Sequence, residues 1–243
     1  ADFDNSGFLV GRENVAVSKI LVSLDITEPV VQEAVEQGAQ LIVAHHPVIF
    51  GGAKTITDQT ETGRIVLQMV ENGISAICAH TNLDAAEGGV NEALALRLGL
   101  TDIGQLHQDG VDRQGRPYGI GRVGLVPEQP LYDFAMAVKR LLSANGIRLV
   151  DGGRPAHKIA VGGGACASMM GDALALGCDT FITSDVKYNH FLEAKAFGLN
   201  LIDAGHFPTE NVVCPVLQEW LMQRFPQVTT SISQRHHEVF SYL

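Results

Sequence analysis

Short apolar runs alternate with segments of helical pattern, and this alternation restricts the fold more than any other feature of the chain. The apolar runs that predict strands are residues 17–24, 41–44, 74–79, 118–126, 158–162, 180–183 and 200–204. The segments that predict helices are residues 28–38, 62–73, 89–98, 131–144, 169–177, 189–197 and 208–225. Strands that alternate with helices typically form a mostly parallel sheet with helices on its faces. The sequence therefore predicts the α/β class.

The strand–helix–strand pattern occurs twice, and the two copies align at one offset. With a shift of 139 positions, residues 19–22 (KILV) fall on residues 158–161 (KIAV). The same shift places the histidine pair at 45–46 on Ser184 and Asp185, so both copies have polar residues where a strand ends. We therefore expect two related lobes, each a mostly parallel sheet with flanking helices.

The predicted strand at residues 41–44 runs directly into His45 and His46, and Pro47 follows. In open α/β sheets, ligands bind beyond the carboxyl ends of the strands, and imidazole is a common metal ligand. Neighbouring strand side chains point to opposite faces, so a site that uses both histidines needs the chain to bend. Pro47 favours such a bend, because proline lacks an amide hydrogen and fixes φ. Two histidines with purely structural roles are the alternative.

Two further strand ends each present a histidine and a carboxylate. His80 is followed four residues later by Asp84, and His206 is followed four residues later by Glu210. Side chains four apart share one face of a helix, and Pro208 suits the first turn of a helix. Both pairs are therefore expected to face one ligand at the carboxyl edge of a sheet.

These donors form a mixed set of imidazoles and carboxylates: His45, His46, Asp84, His206 and Glu210. Such a set suits Zn, Fe, Mn, Co or Ni better than Mg or Ca, which prefer oxygen ligands. Five side chains exceed what one catalytic ion with an open position uses. Two ions about 3.5–4 Å apart, with a bridging carboxylate, would accommodate them. We therefore expect two divalent metal ions as cofactors.

Three other features have ordinary structural interpretations. The histidine pair at 236–237 lies in a polar segment without a carboxylate at helical spacing, so we expect it to be structural or exposed. The glycines at 162–164 lack both common phosphate-binding patterns, which favours a tight turn over backbone contact with a ligand. Asp185 stands at a strand end, where a role near the site and no role are both open.

Composition restricts the partners and the compartment. The 243 residues carry a formal net charge of -10 and contain no dense Lys/Arg run, which argues against nucleic-acid binding. No apolar run reaches the roughly 18–20 residues of a membrane span, so no membrane association is expected. The four cysteines include no C-x-x-C pair and indicate neither a zinc knuckle nor a secreted disulfide framework. A reducing, cytoplasmic location is the expectation.

Several segments resemble one known family. "FDNSGFLVG", "LIVAHHPVIF", "HTNLDAAEGGVN", "GCDTFITSDVKYNH" and "LIDAGHFPTE" follow one another in the order typical of the Nif-three-like family, also called GTP cyclohydrolase I type-two homologues. The resemblance covers nearly the whole chain, and the paired histidines and the GHFPTE segment are its most specific parts.

The resemblance implies a two-lobed α/β fold with a dinuclear metal centre in the cleft between the lobes. The first lobe would comprise residues 1–104 and 205–243, and the second lobe residues 105–204, which begin with a polar linker at 105–117. It also implies a toroidal homohexamer, built as a trimer of dimers. The implied ligands are His45, His46, Asp84, His206 and Glu210, and His80 would lie beside the metals, where it supports a ligand or transfers a proton.

Three functions remain open at this stage. The first is a metal-dependent hydrolase that acts on a small or nucleotide-like substrate, for which the resemblance supplies the label GTP cyclohydrolase. The second is a ring-shaped regulatory or interaction protein with structural or sensory metals. The third is metal storage or delivery.

Overall fold

The computed structural model describes residues 4–243. Its strands are β1 (Gly7–Val10), β2 (Lys19–Ser23), β3 (Leu41–Ala44), β4 (Ser75–Cys78), β5 (Thr101–Gln105), β6 (Gly110–Val111), β7 (Pro117–Tyr118), β8 (Arg122–Gln129), β9 (Arg148–Val150), β10 (Ala156–Val161), β11 (Thr180–Thr183), β12 (Asn200–Asp203) and β13 (Thr229–Ile232). Its helices are α1 (Glu28–Gln37), α2 (Glu61–Glu71), α3 (Thr81–Ala85), α4 (Val90–Arg97), α5 (Leu131–Leu141), α6 (Met170–Ala175), α7 (Tyr188–Ala196), α8 (His206–Glu210) and α9 (Val213–Arg224), with a short 3₁₀ turn at Ala167–Met169.

The chain forms two compact units. The first unit contains residues 4–83 and Cys214–His237, and the second unit contains Asp84–Val213 and Glu238–Leu243. These boundaries differ from those of the predicted lobes, which placed residues up to 104 in the first lobe. Leu94 and Leu98 explain the difference, because they are buried in one core with Phe134 and Val138 of the second unit.

The first unit is built on a five-stranded sheet in the order β1-β4-β3-β2-β13. Its β13, β2, β3 and β4 are parallel, and β1 pairs with β4 in the antiparallel direction. Helices α1 and α2 pack on this sheet through Val30, Val31, Ile65 and Met69. The central strands read as unbroken apolar runs because parallel strands are covered on both faces.

The end of β3 fixes the position of the histidine pair. The N–H groups of His45 and His46 donate to the carbonyls of Ser23 and Leu24, which continues the pairing of β3 with β2. Pro47 follows and has no N–H to donate, so the ladder stops there. Both histidines therefore lie at the carboxyl edge of the parallel sheet.

The second unit is built on a six-stranded sheet in the order β5-β8-β10-β11-β12-β9. Its three central strands, β10, β11 and β12, are parallel, and the outer pairings are antiparallel. The segment predicted as a linker forms most of the antiparallel hairpin β6-β7 and belongs to this unit. Both units are thus mixed α/β with parallel-rich sheets, as the alternation of the sequence predicts.

The strand register matches the internal repeat. In the first unit Ile20 pairs with Leu41, and in the second unit Ile159 pairs with Thr180. Both partners are displaced by the same 139 positions. Each copy of the pattern therefore pairs its first two parallel strands in the same register.

Within residues 4–243, no helix has the length and apolar character needed to cross a membrane.

Candidate metal centre

Three imidazoles lie together at the carboxyl edge of the first unit's sheet. The rings of His45 and His46, after β3, have centroids 4.9 Å apart. His80, after the neighbouring strand β4, lies 5.4 Å from the ring of His45 and 5.8 Å from that of His46. The adjacent residues His45 and His46 thus place their rings side by side, which is consistent with the bend that Pro47 predicts.

The Nδ1 atoms of His45 and His46 are both engaged by oxygens. Nδ1 of His45 lies 2.8 Å from the carbonyl oxygen of Ala79, and Nδ1 of His46 lies 2.7 Å from Oδ1 of Asp25. A carbonyl and a carboxylate only accept hydrogen bonds, so the proton of each neutral ring belongs on Nδ1. The lone pair is then on Nε2, the atom that a histidine held in this way offers to a metal.

His80 is held by a small acidic network. Its Nδ1 lies 2.6 Å from Oδ1 of Asp4, and the hydroxyl of Thr81 donates to the other carboxylate oxygen at 2.5 Å. Burial alone would raise the pKa of Asp4, but the hydrogen bonds from Thr81 and His80 outweigh burial and lower it. Asp4 therefore stays ionised, and it fixes the orientation of His80.

His206 and Glu210 form the corresponding pair in the second unit. They stand at the two ends of the five-residue helix α8, and Nε2 of His206 lies 3.0 Å from Oε2 of Glu210. Nδ1 of His206 lies 2.6 Å from Oδ2 of Asp185. Burial disfavours a charge on His206, but the two carboxylates outweigh it and raise its pKa to about 9. The predicted His-x-x-x-Glu helix is confirmed.

Asp185 is the orienting residue of this pair, a role that sequence reasoning left open. It lies at the end of β11, one shift of 139 positions from His46. Its φ of 52° is in the left-handed region, which is uncommon for a residue other than glycine. Such strain persists when the surroundings favour it, and it is typical of functional sites.

The glycine turn at 162–164 packs against Glu210. A Cβ added to Gly164 would come within 2.1 Å of Oε1 of Glu210 and 3.3 Å of Nε2 of His206. The N–H of Gly164 donates to the hydroxyl of Thr209, and the N–H of Gly163 donates to Oδ1 of Asn91. The three glycines therefore form a tight turn, and the absence of a side chain at Gly164 lets Glu210 approach the backbone.

Asn91 connects this turn to the segment that carries Asp84. The side chain is fully buried, accepts from the N–H of Gly163 at 2.8 Å and donates to the carbonyl of Asp84 at 3.0 Å. Burial raises the pKa of the Cys166 thiol to about 12, and the charges of Asp84 and Glu210 add to this effect. Asp84 and Glu210 therefore both lie close enough to Cys166, within the second unit, to raise the pKa of its thiol.

His236 has a structural role. Its Nδ1 accepts the backbone N–H of Leu24 at 2.9 Å, so this nitrogen is occupied as an acceptor. Burial is the main cause of its lowered pKa. The neutral ring thus supports the end of β2 just before Asp25, as expected for a structural histidine.

The sequence matches the Duf34/NIF3 (NGG1p interacting factor 3) family over residues 1–238. The chain belongs to this family.

Relatives of this NIF3-family protein include one curated protein and two solved structures that match most of the chain. The "GTP cyclohydrolase 1 type 2 homolog" of Clostridium perfringens is 35% identical, over 99% of this chain and 92% of that protein. The crystal structure of Staphylococcus aureus hypothetical protein SA1388 superposes with a TM-score of 0.94 at 30% identity, covering 100% of this chain and 93% of the other. The Bacillus cereus protein related to NIF3 gives a TM-score of 0.92 at 26% identity, with 100% and 94% covered.

The side chains of this family member suit a divalent metal. His45, His46 and Glu210 are residues that could hold a metal ion. His45 and Glu210 are buried, and His46 is partly buried. Imidazole nitrogen and carboxylate oxygen are ligands of transition metals and zinc. The donor chemistry and the fixed tautomers of His45 and His46 therefore fit such an ion.

Proposed function

We propose that this NIF3-family protein is a metal-dependent hydrolase with one dinuclear centre. The proposed ligands are His45, His46, Asp84, His206 and Glu210. The observation that carries the proposal is the engagement of Nδ1 on each of the three histidines, by a backbone carbonyl or by a carboxylate. Histidines that bind metals almost always donate their other ring N–H in this way.

We propose two ions because the set contains five side chains, three imidazoles and two carboxylates. A catalytic ion with an open position typically has three protein ligands, so five exceed what one such ion uses. Asp25 and Asp4 are not counted as ligands, because His46 and His80 already engage them.

When bound, two divalent ions would polarise a carbonyl or phosphoryl group and make a bound water more acidic. The chain's own contribution is to position ligands and move a proton. Asp4 keeps the proton of His80 on Nδ1, which leaves Nε2 to accept one from the attacking nucleophile and return it to the leaving group. Asp25 and Asp185 hold His46 and His206 in their orientations.

The proposed substrate is a small or nucleotide-like molecule, supported by the name of the Clostridium perfringens relative, "GTP cyclohydrolase 1 type 2 homolog". GTP, phosphate monoesters, phosphate diesters and cyclic amides would be incubated with protein loaded with Zn, Mn, Fe, Co or Ni. We expect turnover that is lost in the double variant His46→Ala, Glu210→Ala.

A histidine outside the proposed centre supplies the matched control. His107 is partly exposed and lies beside Asp109 and Asp172, so His107→Ala should keep full activity. His80→Gln should retain the metals and lose most of the turnover. Equal activity of the double variant and the wild type would reject the hydrolase for every substrate tested.

A regulatory role for a homohexamer is the second candidate, and exposed apolar side chains favour self-association. Tyr188, Leu192 and Phe197, on and just after α7, are 76%, 56% and 62% exposed in the chain on its own. Exposed apolar patches commonly mark interaction sites. Sedimentation analysis of the wild type and of Leu192→Glu tests this, and a monomeric wild type would reject the ring.

The proposed location is the cytoplasm, which agrees with the free cysteines Cys78, Cys166, Cys178 and Cys214.

A further inference from the structure

Phe50 is an aromatic side chain displayed next to the histidines of the first unit. It is 64% exposed, although phenylalanine is usually buried. Its ring centroid lies 5.9 Å from that of His80, and the two ring planes meet at 88°. The edge of one ring therefore meets the face of the other.

The chain is anchored immediately before this ring. The side-chain amide of Asn5 donates to the carbonyl of Ile49, and Val48 and Ile49 pack against the buried core of the first unit. The loop then changes direction at Gly51 and Gly52, whose φ values of 73° and 81° suit glycine. The backbone before Phe50 is therefore fixed in position, while the Phe50 ring itself is exposed to solvent.

We propose that Phe50 is the stacking surface for a planar heteroaromatic ring of the substrate, and that it helps to select this class of substrate. The inference rests on the proposed function, because it places the ring beside His80, the proposed proton carrier. Stacking on an aromatic side chain accepts any planar base, since every base has a π-face. The base of a nucleotide has the required planar ring.

Binding of two probes to the zinc-loaded full chain tests this inference by calorimetry. Guanosine 5′-monophosphate carries a planar base, and ribose 5-phosphate carries the same sugar and phosphate without it. Phe50→Leu keeps an apolar side chain and removes the aromatic face, whereas Phe50→Tyr keeps the face. Phe225→Leu is the matched control, because Phe225 is 42% exposed and its ring lies against the guanidinium of Arg224, at 5.8 Å.

We expect Phe50→Leu to weaken binding of guanosine 5′-monophosphate by about 5- to 100-fold and to leave ribose 5-phosphate binding within twofold. Phe50→Tyr and Phe225→Leu should bind both probes like the wild type. An equal loss for the two probes, an equal loss in Phe225→Leu, or no preference of the wild type for the nucleotide would each overturn the inference.

Failure of the stacking inference is distinguishable from failure of the proposed hydrolase function. In the double variant His46→Ala, Glu210→Ala, the preference for the nucleotide over ribose 5-phosphate should persist without turnover. Turnover in the wild type together with unchanged nucleotide binding in Phe50→Leu would overturn the role of Phe50 alone.

Discussion

Substitution of Gly164 by alanine should weaken metal binding, because it would displace Glu210, a proposed ligand. The new Cβ would lie 2.1 Å from Oε1 of Glu210, whereas ordinary contacts begin at 3.4 Å. The oxygen would have to move by more than about 1 Å, and metal–ligand distances tolerate only about 0.2 Å. We expect zinc affinity, measured by competition with a chelator, to fall at least about 10-fold.

Gly177→Ala separates this effect from backbone strain. Gly177 has a φ of 71°, close to the 64° of Gly164, but a Cβ there would meet nothing within 4 Å. Gly177→Ala should lose roughly 1–2 kcal/mol of stability in urea unfolding of the metal-free protein, because it forces a left-handed residue, and Gly164→Ala should lose at least as much. If Gly164→Ala bound zinc as tightly as Gly177→Ala, the assignment of Glu210 as a ligand would be refuted.

Three further substitutions test other contacts. Asp25→Asn should lower zinc affinity about 10-fold, because it removes the charge that supports His46. The control Glu28→Gln breaks the exposed ion pair with Arg64 and should leave zinc affinity within twofold of the wild type. Asn91→Leu should lower the free energy of unfolding by about 1–3 kcal/mol for each of the two backbone groups that lose a hydrogen bond, the carbonyl of Asp84 and the N–H of Gly163. Urea unfolding without metal measures this, and an unchanged midpoint would reject the bridging role of Asn91. Glu33→Gln should destabilise the protein by about 2 kcal/mol at neutral pH, and this difference should shrink as the pH falls below 4.5; a constant difference would contradict the lowered pKa.

The sign of the Glu33 effect follows from its contacts. Burial alone would raise its pKa, but hydrogen bonds from Ser233, Gln234 and Arg235 outweigh burial and lower it. A carboxylate with a lowered pKa stabilises the fold above its ordinary pKa of 4.5. That contribution is lost as the pH falls through the lower pKa of the folded protein.

The parts of this molecule that sequence could predict depend on local pattern. The apolar run of β3 and the proline after it predict where His45 and His46 lie, because strand ladders end at proline. The spacing of His206 and Glu210 predicts one turn of helix with both side chains on one face, and α8 confirms it. These features need only short-range periodicity.

The orienting residues could not be predicted in the same way. Asp25 reaches His46 because β2 pairs in register with β3, and Asp4 reaches His80 from 76 positions away. Nothing in the neighbourhood of Asp4 or Asp25 indicates these partners. Gly164 is similar, since its small size matters only because Glu210 packs against it.

The unit boundaries also depend on long-range packing. Residues 84–104 precede the polar segment that resembles a linker, yet α4 buries Leu94 against Phe134. Composition does not predict the hairpin β6-β7 either, in which Gly110 pairs with Tyr118. Turn-rich composition indicates a change of direction and does not indicate which core the flanking helices join.

Anomalous diffraction from crystals of the zinc-loaded protein tests the central proposal most directly. We expect two zinc positions in one centre, bound by Nε2 of His45, His46 and His206 and by the carboxylates of Asp84 and Glu210. A single zinc position, or zinc at other residues only, would contradict the proposed dinuclear centre.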